Sequence, residues 1–167
     1  MQITSAMKMV SAAKLKRAQD AIVQMRPYAK KFNDILVNVA ASLDNSDHPM
    51  MKSNNGKNIL LIALSSNRGL CGGFNNNIVK EVNKTISNNP DKNYTVFTIG
   101  KKVNDVFKKS DLLTKIESLP LNPQTIWDDL NYNNSILITS KIIKAFKENK
   151  FDQAYIVYNS FKNAAVQ

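Results

Sequence analysis

The chain has 167 residues and carries 23 Lys and Arg against 13 Asp and Glu, a net charge of +10. This length allows one hydrophobic core with an appendage, and no apolar run reaches the roughly 20 residues of a membrane-spanning helix. A single cysteine, Cys71, excludes an intrachain disulfide, and a single histidine, His48, argues against a histidine-based metal site or catalytic triad.

The first segment of the chain has the apolar repeat of a coiled-coil helix. Its apolar residues recur in alternating steps of three and four, which places them on one stripe. A helix over residues 1–44 is roughly 65 Å long at about 1.5 Å per residue. Because no later segment repeats the stripe over a comparable length, we expect its partner helix in another chain or in a missing part of this one. The predicted coiled-coil seam consists of Leu15, Ala18, Ile22, Met25, Ala29, Phe32, Leu36, Val39 and Leu43.

The same helix is strongly basic. A basic surface of this kind suits nucleic acid, an anionic membrane or an acidic protein. Only Tyr28 and Phe32 could stack on bases, which argues against nucleic acid, although a basic coiled-coil nucleic-acid-binding protein stays open as an alternative. Between residues 8 and 31 Asp20 is the single acidic residue, and the basic residues are Lys8, Lys14, Lys16, Arg17, Arg26, Lys30 and Lys31.

One feature predicts a bend in this segment, and another predicts where it ends. Pro27 falls within the helix without changing the phase of the stripe, which predicts a bend and not an end. Residues 45–58 are rich in Asn, Ser, Asp, Pro and Gly, which predicts a linker.

Residues 59–167 alternate between strand and helix patterns, and this alternation predicts an α/β domain with a mostly parallel, Rossmann-like sheet covered on both faces. The domain is expected to be incomplete at its C-terminus. Helices are predicted from Phe74 to Asn88, after Gly100, and over most of 125–150. The strand candidates are Ile59–Leu64, Tyr94–Ile99, a weaker Leu112–Leu119 and a buried Tyr155–Tyr158.

A glycine-rich loop, Ser65–Gly73, follows the first strand. Such a turn at the carboxyl end of a parallel strand is where α/β folds often bind phosphates. The loop lacks the Lys-Ser/Thr of a P-loop and the G-x-G-x-x-G spacing, and Cys71 has no histidine partner in view. The pattern therefore favours a tight turn with an exposed contact surface, with a nucleotide-binding α/β enzyme as the other alternative.

Two stretches carry a family resemblance. ITSAMKMVSAAKLKRAQDAI (Ile3 to Ile22), followed by RPYAKKF, resembles the N-terminal helix of the gamma-subunit family of F-type ATP synthases. The loop SSNRGLCGGFNNN (Ser65 to Asn77) is similar to the second hallmark of that family. The resemblance implies a shaft of two antiparallel helices and an α/β foot near the membrane ring. It also implies that this chain is a fragment without the second shaft helix.

The resemblance implies a function as well. The expected role is that of the central-stalk rotor, which couples ion flow through the membrane ring to ATP synthesis or hydrolysis in the alpha/beta ring. The implied partners are the alpha and beta subunits, the epsilon subunit and the membrane c-ring, with no nucleic acid and no small-molecule ligand. No catalytic residue, cofactor or metal is expected. The implied location is peripheral, on the cytoplasmic face of the bacterial inner membrane.

The resemblance also implies which residues face the catalytic ring. One group lies on the helix, where basic side chains meet acidic loops of the catalytic subunits, and the other lies on the glycine-rich loop. The implied contact residues are Met7, Lys8, Met9, Lys14, Lys16, Arg17, Arg68, Gly69, Leu70, Cys71, Gly72 and Gly73.

Overall fold

The computed structural model describes residues 2–42, 56–117, 119 and 123–162. Internal contacts divide the chain into two units, Met1–Ser53 and Asn54–Gln167. The predicted boundaries at 1–44, 45–58 and 59–167 stay predictions. Leu43 of the seam and residues 45–55 of the predicted linker lie outside the described residues.

The first unit contains one long helix, α1, which spans Gln2–Ser42. Its 41 residues extend about 60 Å at the usual rise. Ala, Met, Lys, Arg and Gln supply much of it, and these residues have high helix propensity. The helix continues through Pro27, which lacks the N–H that would bond the Val23 carbonyl. The prediction of a long N-terminal helix is confirmed.

The second unit is an α/β fold around a parallel sheet with the strand order β2-β1-β3. Both neighbours run parallel to β1, and the register pairs Leu61 with Val96 of β2 and with Tyr155 of β3. The predicted α/β class with a mostly parallel sheet is confirmed. Its elements are β1 Asn58–Leu64, α2 Phe74–Asn88, β2 Asn93–Ile99, α3 Lys101–Phe107, a 3₁₀ turn Gln124–Trp127, α4 Tyr132–Lys147 and β3 Gln153–Val157.

Hydrophobic clusters cover both faces of the sheet. Alternate residues of β1 point to opposite faces, so Leu61 joins one cluster and Leu60 the other. Because both faces of β1 are covered, the strand is a continuous apolar run. Burial of each aliphatic side chain stabilises the fold by about 1.5–3 kcal/mol. The α2 and α3 side contains Ile59, Leu61, Ala63, Ile78, Val82, Val96, Val103 and Phe107. The α4 side contains Leu60, Ile62, Phe97, Ile99, Leu119, Ala145 and Phe151.

One strand prediction was wrong, and for another, which is present as β3, the expected burial was wrong. Leu112–Leu119 contributes one isolated bridge, between Leu113 and Val96, because the chain then turns and the Ile116 N–H bonds the Thr114 hydroxyl. Tyr155–Tyr158 was expected to be buried, yet β3 ends at Val157 and Tyr155 is 51% exposed. Among the described strands, β3 pairs only with β1 and lies at the edge of the sheet.

The helix predicted over most of 125–150 is interrupted. The 3₁₀ turn ends at Trp127, and α4 starts only at Tyr132 because the Asn131 side chain caps it by accepting the Asn134 N–H at 2.9 Å. At the other end Asn149 adopts a left-handed φ of 57°. The Lys150 N–H donates to the Ala145 carbonyl at 3.0 Å. A left-handed residue followed by this hydrogen bond is a common end of an α-helix.

A close backbone approach joins the ends of β1 and β2. Gly100 has a φ of 110°, and a Cβ at this position would collide with the Ser65 carbonyl oxygen. The Ser65 N–H donates to the Ile99 carbonyl at 2.8 Å across the same gap. A residue with a side chain would therefore force the end of β1 away from the start of α3.

We expect Gly100→Ala to lower the free energy of unfolding by about 3 kcal/mol, since backbone strain adds to the clash. Urea unfolding followed by circular dichroism measures this. Gly69→Ala is the matched control, because its Cβ would meet only the Lys102 side chain at 3.5 Å. Equal stability losses in the two variants would contradict the close approach.

Candidate partner-binding loop and basic helix

The glycine-rich loop is anchored at its base by three consecutive residues that cap α3. The Ser65 hydroxyl accepts the Val103 N–H at 2.9 Å, and the Asn67 side-chain oxygen accepts the Lys101 N–H at 3.0 Å. Between them, the Ser66 carbonyl accepts the N–H of Lys102 at 3.2 Å. Because these N–H groups are engaged, the first turn of α3 has no free donors there for a phosphate.

Asn75, in the first turn of α2, holds the rest of the loop. Its side-chain oxygen accepts the Ser66 N–H at 3.0 Å. Its amide nitrogen lies 3.2 Å from the Arg68 carbonyl and 3.1 Å from the Cys71 sulfur. One amide therefore contacts the start, the middle and the end of the turn, which gives the exposed segment between them a defined shape.

Leu70 lies at the tip of this loop. Its side chain is completely exposed, and its φ is 58°. The left-handed conformation costs a non-glycine residue about 1–2 kcal/mol. Asn149, the other such residue among those described, closes a helix, whereas Leu70 has an apolar side chain with neither local preference nor burial to favour this position.

The implied contact residues on α1 are all exposed, with Met7 at 66% and Met9 at 65%. Successive residues of an α-helix are rotated by about 100°. This rotation puts Met7 beside Lys14 on one side and Met9 beside Lys16 on the opposite side. With Lys8 and Arg17 between them, the six side chains surround the helix and do not form a single basic face.

The predicted seam is also exposed. Met25 is 67% exposed, and a column of large apolar side chains follows it along α1. Tyr28 lies one turn from Phe32, and their rings are stacked with centroids 6.2 Å apart. Ile22 is half-buried, and four other large members of the seam are exposed: Leu15 45%, Phe32 53%, Leu36 47% and Val39 43%.

A depression of about 570 Å³ lies at the carboxyl ends of β1 and β3, where parallel folds often hold ligands. Trp127 and Arg68 line it, but its polar groups are largely engaged. Ser65 and Asn67 cap α3, and the Asn159 amide donates to the Phe74 carbonyl. In the described parts of the chain no group of three or more His, Cys, Asp or Glu side chains could hold a metal.

Comparison with known proteins identifies the family. Residues 1–167 match the family model described as ATP synthase. The chain belongs to the ATP synthase family. The ATP synthase gamma chain of Christiangramia forsetii is 44% identical over 169 residues, and that of Flavobacterium psychrophilum is 46% identical over 168 residues. Both alignments cover 100% of this chain and 57% of the relative, so the chain spans a little over half the length of these gamma chains.

A solved structure of this ATP synthase family is similar as well. The cryo-EM structure of the central stalk and c-ring of the Tetrahymena thermophila mitochondrial ATP synthase contains a chain that matches with a TM-score of 0.66 at 26% identity. The match covers 98% of this chain and 68% of that one. The alternatives of a nucleic-acid-binding coiled coil and a nucleotide-binding enzyme are not favoured by these similarities. No helix among the described residues of this family member is both long and apolar enough to span a bilayer.

Sequence reasoning missed the residues that organise the loop of this ATP synthase family member. Asn75 lies within the loop motif Ser65 to Asn77, but the pattern assigns it no role, although an Asn in a first turn is a common local hydrogen-bonding residue. Ser65 and Asn67 lie at the start of the glycine-rich loop and cap a helix that begins 34 residues after Asn67, at Lys101. These two residues lie next to α3 only because β1 pairs in parallel with β2. The residues of the loop alone do not predict this pairing.

We expect Asn75→Ala to loosen the loop and to increase the rate at which a maleimide labels Cys71 about fivefold, since it removes hydrogen bonds worth about 1 kcal/mol each. Cys71 is the only cysteine of the chain, so labelling reports on this site alone. Asn76→Ala removes an exposed neighbour in the same turn and should leave the rate unchanged. Equal rates in both variants would mean that Asn75 does not organise the loop.

Proposed function

We propose that this chain is the N-terminal and central part of a gamma subunit, the central-stalk rotor of an F-type ATP synthase. In this role it couples ion flow through the membrane ring to ATP synthesis or hydrolysis in the alpha/beta ring. Its relatives named ATP synthase gamma chain and its likeness to a central-stalk chain support the proposal. The observation that carries it is the exposed apolar stripe on the 41-residue helix α1.

The stripe indicates a shaft. An apolar seam that alternates in steps of three and four is buried when two helices wrap around each other. Leu36 and Met25 are about half or more exposed on α1 alone, so a second helix laid on the seam would remove much apolar area from water. A supercoiled pair resists bending and twisting better than one helix does. A rotor needs this stiffness to transmit torque.

The basic residues around α1 suit a shaft that turns within a ring. Because Lys8, Lys16 and Arg17 point in different directions, acidic groups on any side of the ring would meet a cation. Exposed ion pairs contribute only about 0–1 kcal/mol each. Several such contacts can guide the shaft at every angle, and none is strong enough to hold it at one.

The proposed subunit has no catalytic residues of its own and binds no cofactor. Its partners are the alpha and beta subunits around the shaft, with the epsilon subunit and the membrane c-ring at the α/β domain. The Arg68–Gly73 loop faces the catalytic ring together with the α1 residues Met7, Lys8, Met9, Lys14, Lys16 and Arg17. The protein lies on the cytoplasmic face of the bacterial inner membrane as a peripheral component.

The seam is tested by two valines that are two residues apart. In the full-length protein, Val39→Asp places a carboxylate in the seam and should reduce the yield of complex with alpha and beta subunits at least about tenfold. Val37, 59% exposed and on the far side of α1, provides the control: Val37→Asp should assemble nearly normally. Size-exclusion chromatography of the co-expressed subunits measures the yield. Equal yields from the two variants would contradict the two-helix shaft.

The basic contact is tested by charge reversal at two matched pairs. Lys16→Glu with Arg17→Glu should lower ATP-driven ion pumping by reconstituted vesicles at least about fivefold, because like charges then face each other across the contact. Lys30→Glu with Lys31→Glu makes the same change in charge outside the proposed contact and should reduce pumping less than about twofold. Unchanged pumping in the first variant would overturn the assignment of the contact to this part of α1.

A further inference from the structure

The chain enters β1 at the amino ends of the parallel strands, which is the end of the sheet opposite the glycine-rich loop. Asp152 holds this entry. The Asn58 N–H donates to the Asp152 carboxylate at 2.9 Å, and the Asp152 N–H donates to the Asn58 carbonyl at 2.7 Å. Two hydrogen bonds therefore close a ring between the first residue of β1 and the residue before β3. A hydrogen bond to a carboxylate is roughly twice as strong as one between neutral groups.

Gly56 fits against the same carboxylate. A Cβ on Gly56 would overlap the carboxylate carbon and both carboxylate oxygens of Asp152. The φ of Gly56 lies outside the left-handed range, so glycine is needed here for the close approach and not for the backbone conformation. Asp152 therefore encloses the chain two residues before β1 begins.

The start of β2 is joined to the same point. The Asn93 N–H donates to the Lys57 carbonyl at 2.8 Å, and the Asn93 side-chain amide donates to the Asn58 side-chain oxygen at 3.2 Å. Asn58 thus bonds the first residue of β2 on one side and the residue before β3 on the other. The starts of all three described strands are linked through this residue.

Asp152 is itself anchored in the core. Phe151, the residue before it, is 3% exposed and belongs to the cluster on the α4 side of the sheet. Its ring centroid lies 5.7 Å from that of Phe146 in α4. The left-handed Asn149 closes the turn between α4 and β3. A pull on Gly56 therefore meets a carboxylate whose neighbour is packed against α4.

We propose that Asp152 is a positioning residue, which with Gly56 and Asn58 forms a clasp that transmits torque from α1 into the α/β domain. This inference rests on the proposed function, in which the shaft and the α/β domain turn together. Torque carried by the chain between α1 and β1 reaches the domain at Gly56. Unheld ends of an element fray at little cost in free energy, and a frayed entry would let the shaft turn before the domain follows. The clasp passes the load directly to β2, β3 and α4.

The test measures the torsional stiffness of the rotor. A complex of the full-length protein with alpha and beta subunits is fixed to a surface without ATP, and a bead is attached to the α/β domain. The angular variance of the bead is inversely proportional to the stiffness of the path between ring and bead. Asp152→Ala should raise this variance at least about twofold, because the Asn58 N–H loses its acceptor. Asp152→Asn keeps an oxygen that accepts this N–H and should raise the variance less.

Asp91→Ala is the matched control. Asp91 lies at the same end of the sheet, two residues before β2, and is exposed. Its carboxylate forms no hydrogen bond or salt bridge in the described part of the chain. The angular variance of this variant should therefore equal that of the wild type.

A double-mutant cycle separates the clasp from a general effect on the fold. Gly56→Ala should raise the variance about as much as Asp152→Ala does, because its methyl group displaces the carboxylate. Asp152→Ala combined with Gly56→Ala should add little to either change alone, since the methyl group then has room. A residue that only stabilises the fold would lower the urea midpoint of the free protein and leave the variance of the assembled complex unchanged.

Each result decides a different point. If the bead on the wild-type complex does not rotate when ATP is supplied, the proposed function is wrong and this inference falls with it. If that bead rotates, but Asp152→Ala has the wild-type variance, only the clasp is wrong. If Asp152→Ala does not assemble, Gly56→Ala decides the same point, and a wild-type variance there overturns the clasp. Additive effects of the two substitutions would also overturn it, because the residues would then act separately.

Discussion

The backbone contact between Ser65 and Gly100 holds together every part of the second unit that bears on function. It joins the ends of β1 and β2, and it brings residues 65–67 to the three N–H groups that start α3. The loop from Arg68 to Gly73 therefore leaves the sheet from a fixed base, and Asn75 fixes its far side. A side chain on Gly100 would disturb the sheet edge, the cap of α3 and the position of the exposed loop together.

The first unit depends on a different constraint, which is the placement of apolar residues on a helix exposed to water. A helix of this length that showed only polar residues would need no partner. The seam instead presents large apolar side chains to water, with Leu15, Met25, Phe32, Leu36 and Val39 exposed by 43–67%, next to cations that surround the same helix. In the proposed shaft, a second helix buries the seam while Lys8, Lys16 and Arg17 face the surrounding ring.

Much of the fold followed from local patterns, and the failures have physical causes. The continuous apolar run Ile59–Leu64 predicted β1, because a strand buried on both faces has no polar positions. The four-residue spacing of Phe74, Ile78 and Val82 predicted α2, because a helix buried on one face has apolar residues once in each turn. The burial expected for Tyr155 was wrong because an apolar run does not show whether a strand is central or at the edge of a sheet. The left-handed φ of Leu70 had no local signal at all, since leucine disfavours that conformation and the contacts that impose it come from Asn75 and α3.

We propose that this protein turns inside an alpha/beta ring. The most direct measurement immobilises a complex of the full-length protein with alpha and beta subunits and follows a bead attached to its α/β domain while ATP is supplied. We expect stepwise rotation in one direction that stops when ATP is removed. A bead that stays fixed on a complex that hydrolyses ATP at the normal rate would show that the protein is not the rotor.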